Sequence, residues 1–298
     1  CMLEGNVAAY GGGGTCNGVQ SGCEYLDNQA ENGGGAYNGT QRNCLFDGNE
    51  AEQSGGGSYN GTNSVCRFVE NHAKWGGGLI YGRSERCVLV ENYADNSGGG
   101  AYEGDLSNCL IVDNTARWGG GSYTGRLSNC TLSRNVAANY GGGAHSGNLF
   151  NCIAWGNTCS AGKDVYLSTC TYTCSGQSQS GAGNIAADPQ FVDADGDDFR
   201  IAVTSPCRNG GSNAYAAGSV DYAGNPRIFD GVVDMGAFEC TQIPKPPNDD
   251  FSGATVLSGA TGGVEGTNTY ATYEQGEPLT SRWSWARWSW GAETRRFR

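Results

Sequence analysis

The sequence predicts an all-β chain folded as a right-handed parallel β-helix, a solenoid whose short strands stack coil upon coil. Three observations predict it. One pattern of cysteine, asparagine and triple glycine recurs through residues 1–158, in coils of about 21.5 residues. No stretch has the 3.6-residue period of a helix, and short β-type runs such as 109–112 lie between glycine-rich and asparagine-rich corners.

Three positions define the repeat. A cysteine recurs in steps that alternate between 22 and 21 residues, at Cys1, Cys23, Cys44, Cys66, Cys87, Cys109, Cys130 and Cys152. An asparagine follows each cysteine five residues later, at Asn6, Asn28, Asn49, Asn71, Asn92, Asn114, Asn135 and Asn157. A Gly-Gly-Gly then ends at Gly14, Gly35, Gly57, Gly78, Gly100, Gly121 and Gly143. Because each repeat can bury its apolar face only against its neighbours, a stack is expected.

Each coil is expected to hold three strands and three corners. Stacking in register places equivalent side chains roughly 4.8 Å apart, so the asparagines can hydrogen-bond from coil to coil at one corner. Glycine makes a second corner because a positive φ costs it little. Triple glycine would destabilise the helices of a helical solenoid.

Composition limits the functional classes. Glycine contributes 51 of 298 residues, but there is no G-X-Y period, which excludes collagen, and 10% aromatic residues argue against disorder. A net charge of −12 disfavours a nucleic-acid partner and is compatible with cations or neutral glycans. No apolar run reaches the roughly 18 residues of a membrane helix, so membrane attachment is expected only through a missing or variable anchor. Because the sequence begins at a cysteine, it is expected to be a fragment that lacks N-terminal coils.

The repeat resembles that of polymorphic outer-membrane proteins. Residues 46–49 (FDGN) and 68–71 (FVEN) resemble the FxxN motif of that family, and the glycine triplets resemble its GG[ALVI] motif. The resemblance covers residues 1 to about 158. It implies a pectin-lyase-like β-helix that is extracellular or on a bacterial cell surface. It implies no single activity, because the repeat occurs in adhesins, autotransporter passengers and unassigned surface proteins.

The ladder cysteines admit three interpretations: disulfides, metal ligands or stacked thiols in the core. Parallel Cβ vectors about 4.8 Å apart disfavour a bridge, and zinc sites use closer pairs. A reduced, buried thiol ladder is therefore predicted. Among the remaining cysteines, Cys207 with Cys240 is the expected bridge and Cys170 with Cys174 a weaker alternative, since spacing cannot fix connectivity.

Two aromatic columns follow from the repeat. The second residue after a glycine triplet occupies one register position, and it is aromatic or histidine at Tyr37, Tyr59, Tyr102, Tyr123 and His145. Because Cys16 and Ile80 share that position, a core stack is predicted there, with His145 a packed member and not a catalyst. Just before the triplets, Trp75, Trp118 and Tyr140 form the candidate glycan-binding edge. The tryptophans are expected roughly 10 Å apart. The alternative is that they only cover the corner.

An acidic column lies four residues after the ladder cysteines and includes Glu70, Glu91 and Asp113. Stacked like charges repel, so Lys74 and Arg117 are expected to neutralise them. A solvated face is predicted, and Ca²⁺, which prefers such oxygen ligands, is the alternative. No other cofactor is expected.

Residues 159–243 are expected to form the terminal coils and a cap. Residues 188–240 resemble the C-terminal segment of the choice-of-anchor Q family, through DPQFV at 188–192, DFRI at 198–201, SP at 205–206, GNPR at 224–227 and DMGAFE at 234–239. This resemblance implies a segment that closes the open end of a β-helix in secreted bacterial proteins.

Three further segments follow. Residues 244–247 (PKPP) are predicted to be a stiff linker. Residues 248–278 resemble the start of a bacterial extracellular β-sandwich module, of which only part is expected. Residues 279–298 have no clear period and are expected to be disordered or frameshifted, with an amphipathic membrane-binding tail as the alternative.

Three functions remain open. An adhesive module that binds a glycan or another host or cell-surface molecule is favoured, a polysaccharide lyase or glycosidase is the first alternative, and a structural stalk is the second. No catalytic residue is predicted, since no long loop interrupts the coils and the acidic column has no distinguishing partner. A lyase could draw only on Glu70, Glu91, Asp113 and Arg117.

Overall fold

A computed structural model of the chain describes residues 1–161 and 164–243, together with the backbone at 265–266 and 295–296. The chain divides into two units, Cys1–Thr241 and Gln242–Arg298. In the second unit, Glu265–Gly266 pairs antiparallel with Arg295–Arg296. The predicted linker at 244–247, and the module at 248–278 and tail at 279–298 apart from this strand pair, lie outside the described residues.

Residues 1–161 and 164–175 form a parallel β-helix, which confirms the predicted fold. Every fourth strand along the chain pairs in parallel, giving one nine-stranded and three eight-stranded sheets. Each coil therefore contributes four strands, whereas the sequence analysis expected three. The reason lies in the corners, because each of the four holds at least one residue with positive φ, and the two corners that flank sheet D use residues such as Tyr81 and Arg86 that carry no turn signature.

Sheets A and B follow the cysteines and the asparagines of the repeat, respectively. The strands of sheet A are Met2–Glu4, Glu24–Leu26, Leu45–Asp47, Arg67–Val69, Val88–Val90, Leu110–Val112, Thr131–Ser133, Ile153–Trp155 and Cys174–Ser175. The strands of sheet B are Val7–Gly11, Gln29–Asn32, Glu50–Ser54, His72–Trp75, Tyr93–Ser97, Thr115–Trp118, Val136–Tyr140 and Thr158–Cys159.

Sheets C and D complete each coil after the glycines. The strands of sheet C are Thr15–Cys16, Ala36–Tyr37, Ser58–Tyr59, Leu79–Ile80, Ala101–Tyr102, Ser122–Tyr123, Ala144–His145 and Val165–Tyr166. The strands of sheet D are Val19–Ser21, Thr40–Arg42, Thr62–Ser64, Arg83–Glu85, Asp105–Ser107, Arg126–Ser128, Asn148–Phe150 and Thr169–Thr171. Phe191–Asp193 pairs antiparallel with Asp198–Ile201, and Asn213–Tyr215 is a single 3₁₀ turn.

The asparagines form a continuous hydrogen-bonded ladder inside the corner between sheets A and B. Asn71 shows the pattern: its Oδ1 accepts the backbone N–H of Asn49 at 3.1 Å, and its Nδ2 donates to the Phe46 carbonyl at 2.9 Å. The positive φ of this corner belongs to the preceding residue, for example Glu70 at 51°. The same pattern, with full burial, holds for Asn28, Asn49, Asn92, Asn114 and Asn135.

The ladder cysteines lie in the core, stacked beside the aromatic and aliphatic side chains of sheet A. Cys44, Cys66, Cys87, Cys109, Cys130 and Cys152 are buried free thiols. The first rung differs from the expectation, because Cys1 and Cys23 form a disulfide across a Cα–Cα distance of 4.5 Å. Parallel strands thus do not exclude a bridge between neighbouring coils, since that separation lies within the range that disulfides span.

The second glycine of each triplet is packed against the backbone of the next coil. A Cβ on Gly77 would lie 2.3 Å from the Tyr93 carbonyl oxygen and 2.6 Å from that of Gly99. Both are main-chain atoms of the stacked coil, so they cannot rotate away. We expect Gly77→Ala to lower the free energy of unfolding by about 2–3 kcal/mol, measured by urea-induced unfolding.

Gly22→Asn is the matched control for this prediction. Gly22 has a positive φ, of 60°, nothing lies within 4 Å of an added Cβ, and Asn43 occupies the equivalent corner one coil later. Asparagine tolerates this conformation, so the control should unfold near the parent midpoint. Equal midpoints for both variants would contradict close backbone packing at Gly77.

Residues 188–240, the fold-back segment, run along the outer face of sheet A. Phe199 is fully buried in a cluster with Val88, Leu110 and Val112, which project outward from that sheet. Corner asparagines of three coils donate to carbonyl oxygens of the segment: Asn108 to Ala217, Asn129 to Asp234 and Asn151 to Ser212. The resemblance implied closure of the open end, but this segment covers the side.

An apolar outer face explains this placement. In early coils the outward positions of sheet A include Glu24, Asp47 and Arg67, whereas in the next two coils they are Val88, Val90, Leu110 and Val112. Exposing such an apolar face to water is unfavourable, so another segment of the protein packs over it. A short stretch before the segment does pair with the last coil, because Ile185 exchanges backbone hydrogen bonds with Thr173 and Ser175.

The predicted bridges of the terminal region are not formed. Cys170, Cys174, Cys207 and Cys240 are all free thiols, and all four are buried. The thiol of Cys207 interacts with that of Cys174, which lies in the last strand of sheet A. The sequence could not show this pairing, because the fold-back segment approaches the solenoid from the side.

Candidate functional site

The predicted glycan-binding edge lies on sheet B, where its members share one register position. Trp75 pairs with Ser97, Ser97 with Trp118, and Trp118 with Tyr140 in successive coils. The two tryptophans are half-buried, and Tyr140 is 40% exposed. The structure therefore brings the three candidates into one column, with Ser97 between the tryptophans as the sequence spacing indicated.

A cation covers each tryptophan. Lys74 Nζ lies 4.5 Å from the centroid of the Trp75 ring, and the Arg117 guanidinium lies 4.6 Å from that of Trp118. With the amide of Asn139 oriented to satisfy its neighbours, its oxygen accepts from Arg117 Nε at 3.3 Å and Trp118 Nε1 at 3.2 Å. These contacts orient the ring of Trp118. Both cations thus lie at the aromatic column and not on the acidic column that they were expected to neutralise.

The second aromatic column lies on the outer face of sheet C, so the prediction of a core stack was wrong. The inward side chains of sheet C are those of Ala36, Ser58, Leu79, Ala101, Ser122 and Ala144. The following residue in each strand points outward because side chains alternate across a strand. The tyrosines of this column are only half-buried. The true core aromatic stack is that of Tyr25, Phe46 and Phe68, with centroids 4.4 and 4.6 Å apart.

The outer tyrosines stack on one another across coils. Tyr102 lies 5.3 Å from Tyr123, which lies 4.9 Å from His145, and His145 lies 5.3 Å from Tyr166. Tyr166 in turn stacks on Tyr140 of sheet B at 4.5 Å. The two columns therefore join around the glycine corner. We call the joined set, Tyr102, Trp118, Tyr123, Tyr140, His145 and Tyr166, the aromatic surface.

His145 is packed between Tyr123 and Tyr166 in this outer surface and not in the core stack that was predicted. Burial lowers the pKa of its imidazole, and Nδ1 lies 2.8 Å from the Ser146 hydroxyl. A lowered pKa favours the neutral ring at neutral pH, which suits stacking between Tyr123 and Tyr166.

The acidic column lies at the corner between sheets A and B. Glu70, Glu91 and Asp113 occupy successive corners with positive φ, but no group of three metal-ligating side chains occurs within residues 1–161 and 164–243. Arg134 binds Asp113 through Nε at 2.9 Å and Nη2 at 2.6 Å. Burial and the charges of Glu70 and Asp27 raise the pKa of Asp47, which lies beside the column, so these carboxylates repel one another.

A polar groove of about 370 Å³ lies on the outer face of sheet D, a feature that the sequence patterns did not single out. Arg42, Arg83, Glu85 and Asp105 are among its lining residues. Arg83 Nε lies 3.8 Å from Asp105 Oδ2, and both side chains are largely exposed. Exposed pairs of this kind contribute little to stability, and the groove lacks the aromatic platform present on sheets B and C.

Comparisons with known proteins assign no family to this chain. The sequence matches no protein-family model and no curated protein. Within the described residues there is no helix long and apolar enough to cross a bilayer.

Proposed function

We propose that this protein is an adhesive, extracellular surface module that binds glycans through the aromatic surface and the neighbouring Trp75. The observation that carries the proposal is the joining of two outward aromatic columns into one continuous strip along the solenoid. Aromatic rings that are apolar on their faces and polar at one edge suit ligands with both apolar and hydroxyl surfaces. The resemblance to repeats found in adhesins supports the same function.

The spacing of the strip suits an extended chain of sugars. Trp75 and Trp118 lie two coils apart, which places them roughly 10 Å from each other. A glycan lying along the solenoid axis could contact one ring per coil or per pair of coils. Because the coils are regularly stacked, the rings are held in place before binding, which reduces the entropy lost on association.

Lys74 and Arg117 favour acidic glycans over neutral ones. Although the whole chain carries a net charge of −12, these two cations lie directly against the tryptophan rings. They can donate hydrogen bonds to uronate or sulfate groups of a sugar stacked beside them. We therefore expect carboxylated or sulfated glycans to bind best.

A glycan array with neutral, uronate-rich and sulfated oligosaccharides, probed with residues 1–243 in the presence and absence of Ca²⁺, tests the proposal. We expect Trp75→Ala with Trp118→Ala to weaken binding at least tenfold, since buried tryptophans at interfaces contribute about 2 kcal/mol or more each. Binding of neutral glycans alone would remove the role of the cations.

Tyr10→Ala is the matched control. Tyr10 lies in the first strand of sheet B, is 81% exposed and stands outside the aromatic column. Its removal should leave binding unchanged. If the parent protein binds no glycan on the array, with or without Ca²⁺, a structural stalk is favoured. A lyase is not proposed, because Arg117 lies over Trp118 and Asp113 is bound by Arg134.

A further inference from the structure

Two cysteines that are far apart in sequence meet where the fold-back segment joins the last coil. Cys174 lies in the final strand of sheet A, and Cys207 follows Ser205 and Pro206 in the fold-back segment. Both side chains are 0% exposed and pack in a cluster with Ile153, Ile201 and Met235. The cluster forms the apolar centre of this junction.

The backbone holds Cys207 in place on both sides. Its N–H donates to the Ser205 hydroxyl at 3.1 Å, and its carbonyl oxygen accepts the N–H of Met235 at 3.0 Å. Cys174 and Cys207 belong to the same buried cluster, and the interaction between their thiols lowers the pKa of Cys174 and raises that of Cys207.

This pair differs from the ladder of core thiols. Ladder neighbours are equivalent residues of stacked coils, which the hydrogen bonds of the sheets already hold together. Cys207 belongs to no coil and reaches Cys174 from a separate segment, so a bridge between these two would add a covalent link that no coil-to-coil stacking provides. We propose that Cys174 and Cys207 form a disulfide that fastens the fold-back segment to the last coil when the protein matures under oxidising conditions.

A small-molecule disulfide such as oxidised glutathione is the oxidant. The Cys174 thiolate attacks one of its sulfurs, forming a mixed disulfide and releasing one glutathione thiolate. The Cys207 thiolate then attacks the Cys174 sulfur, forming the protein disulfide and releasing the second glutathione. The two protons lost by the cysteines end on the two glutathione thiols. Because both cysteines are buried in the folded protein, the reaction takes place during folding.

Refolding in a glutathione buffer tests the proposal. The full chain is reduced, unfolded, refolded with oxidised and reduced glutathione, alkylated, digested with trypsin and analysed by mass spectrometry. Cleavage after Arg200 and Arg208 isolates Cys207 in peptide 201–208, apart from Cys174 and from Cys240. We expect peptide 201–208 to be cross-linked to the peptide that holds Cys174.

Variants assign the partners. The cross-link should be lost in Cys174→Ser, which separates Cys174 from Cys170 in the same peptide, and in Cys207→Ala. It should persist in Cys240→Ser, and circular dichroism would establish that each variant retains its β structure. A cross-link between peptide 201–208 and the Cys240 peptide, or full alkylation of Cys207 after refolding in the oxidising buffer, would overturn the proposal.

Discussion

Replacing Asn71 by alanine is expected to lower the free energy of unfolding by about 3–4 kcal/mol. The side chain accepts two hydrogen bonds from Asn49, donates to the Phe46 carbonyl and donates to Asn92 Oδ1, all between 2.9 and 3.1 Å. Without it, the buried N–H of Asn49 loses its acceptor. A buried donor without a partner costs about 1–3 kcal/mol, and the other lost bonds about 0.5–1.5 kcal/mol each.

Asn60→Gly is the control for Asn71→Ala. Asn60 also belongs to a ladder, since its Nδ2 donates to Asn38 Oδ1 at 2.9 Å, but it is exposed and water can replace that bond. Glycine retains the positive φ of 51° at this corner without strain. We expect a change below about 1 kcal/mol in urea-induced unfolding. Comparable losses of unfolding free energy in the two variants would show that burial does not determine how much a ladder asparagine stabilises the fold.

Replacing Arg227 by methionine is expected to cost about 3–5 kcal/mol and to release the fold-back segment from sheet A. Arg227 is 1% exposed and its Nη2 lies 2.7 Å from Glu239 Oε2. Its guanidinium also donates to Asn108 Oδ1 on the solenoid and to the carbonyl oxygens of Gly236, Ala237 and Phe238. Methionine fills the volume but leaves a buried carboxylate without a cation.

Hydrogen exchange measures this release directly. Amides of the fold-back segment should exchange faster in Arg227→Met, while those of the first coils keep their protection. Arg200→Met is the matched control, because Arg200 pairs with Asp198 on the exposed side of the same segment. Adding Glu239→Gln to Arg227→Met should restore part of the stability, since no unpaired charge remains. A double variant as unstable as the sum of both changes would exclude direct coupling.

The loss in Arg227→Met should also depend on pH. In the parent, burial and the charge of Asp234 raise the pKa of Glu239 to about 7, and Arg227 opposes that rise. Removing Arg227 raises the pKa further. A carboxyl whose pKa is higher in the folded state stabilises the fold below its unfolded pKa of about 4.3 and loses that contribution as pH rises. The difference between parent and variant should therefore shrink on acidification.

Much of the solenoid could be predicted because its interactions repeat. The positions that Cys66 and Asn71 occupy hold the same residue types in every coil of residues 1–158, and the spacing between coils specifies which residues stack. The number of strands per coil could not be predicted in the same way. Residues such as Tyr81 and Arg86 adopt a positive φ at corners because stacked neighbours hold them there, and their side chains carry no local turn preference.

The aromatic surface likewise could be predicted only in part. The column of Trp75, Trp118 and Tyr140 could be read from the residue before each glycine triplet. Its continuation through Tyr102 and Tyr123 was missed, because Ile80 at the same position suggested a core. Strict alternation from the inward Ala101 would have placed Tyr102 outside.

The sequence by itself determined the parallel coils, their register and the ladders inside them, because every coil repeats the same local and nearest-neighbour contacts. Only the tertiary structure decided where the fold-back segment lies and which cysteine Cys207 meets. Those contacts join residues 33 positions apart or more, such as Cys174 with Cys207 and Asn108 with Arg227, and they occur once. A long-range contact that occurs once produces no repeating pattern in the sequence. Packing against the apolar outer face of sheet A therefore determines where the fold-back segment lies.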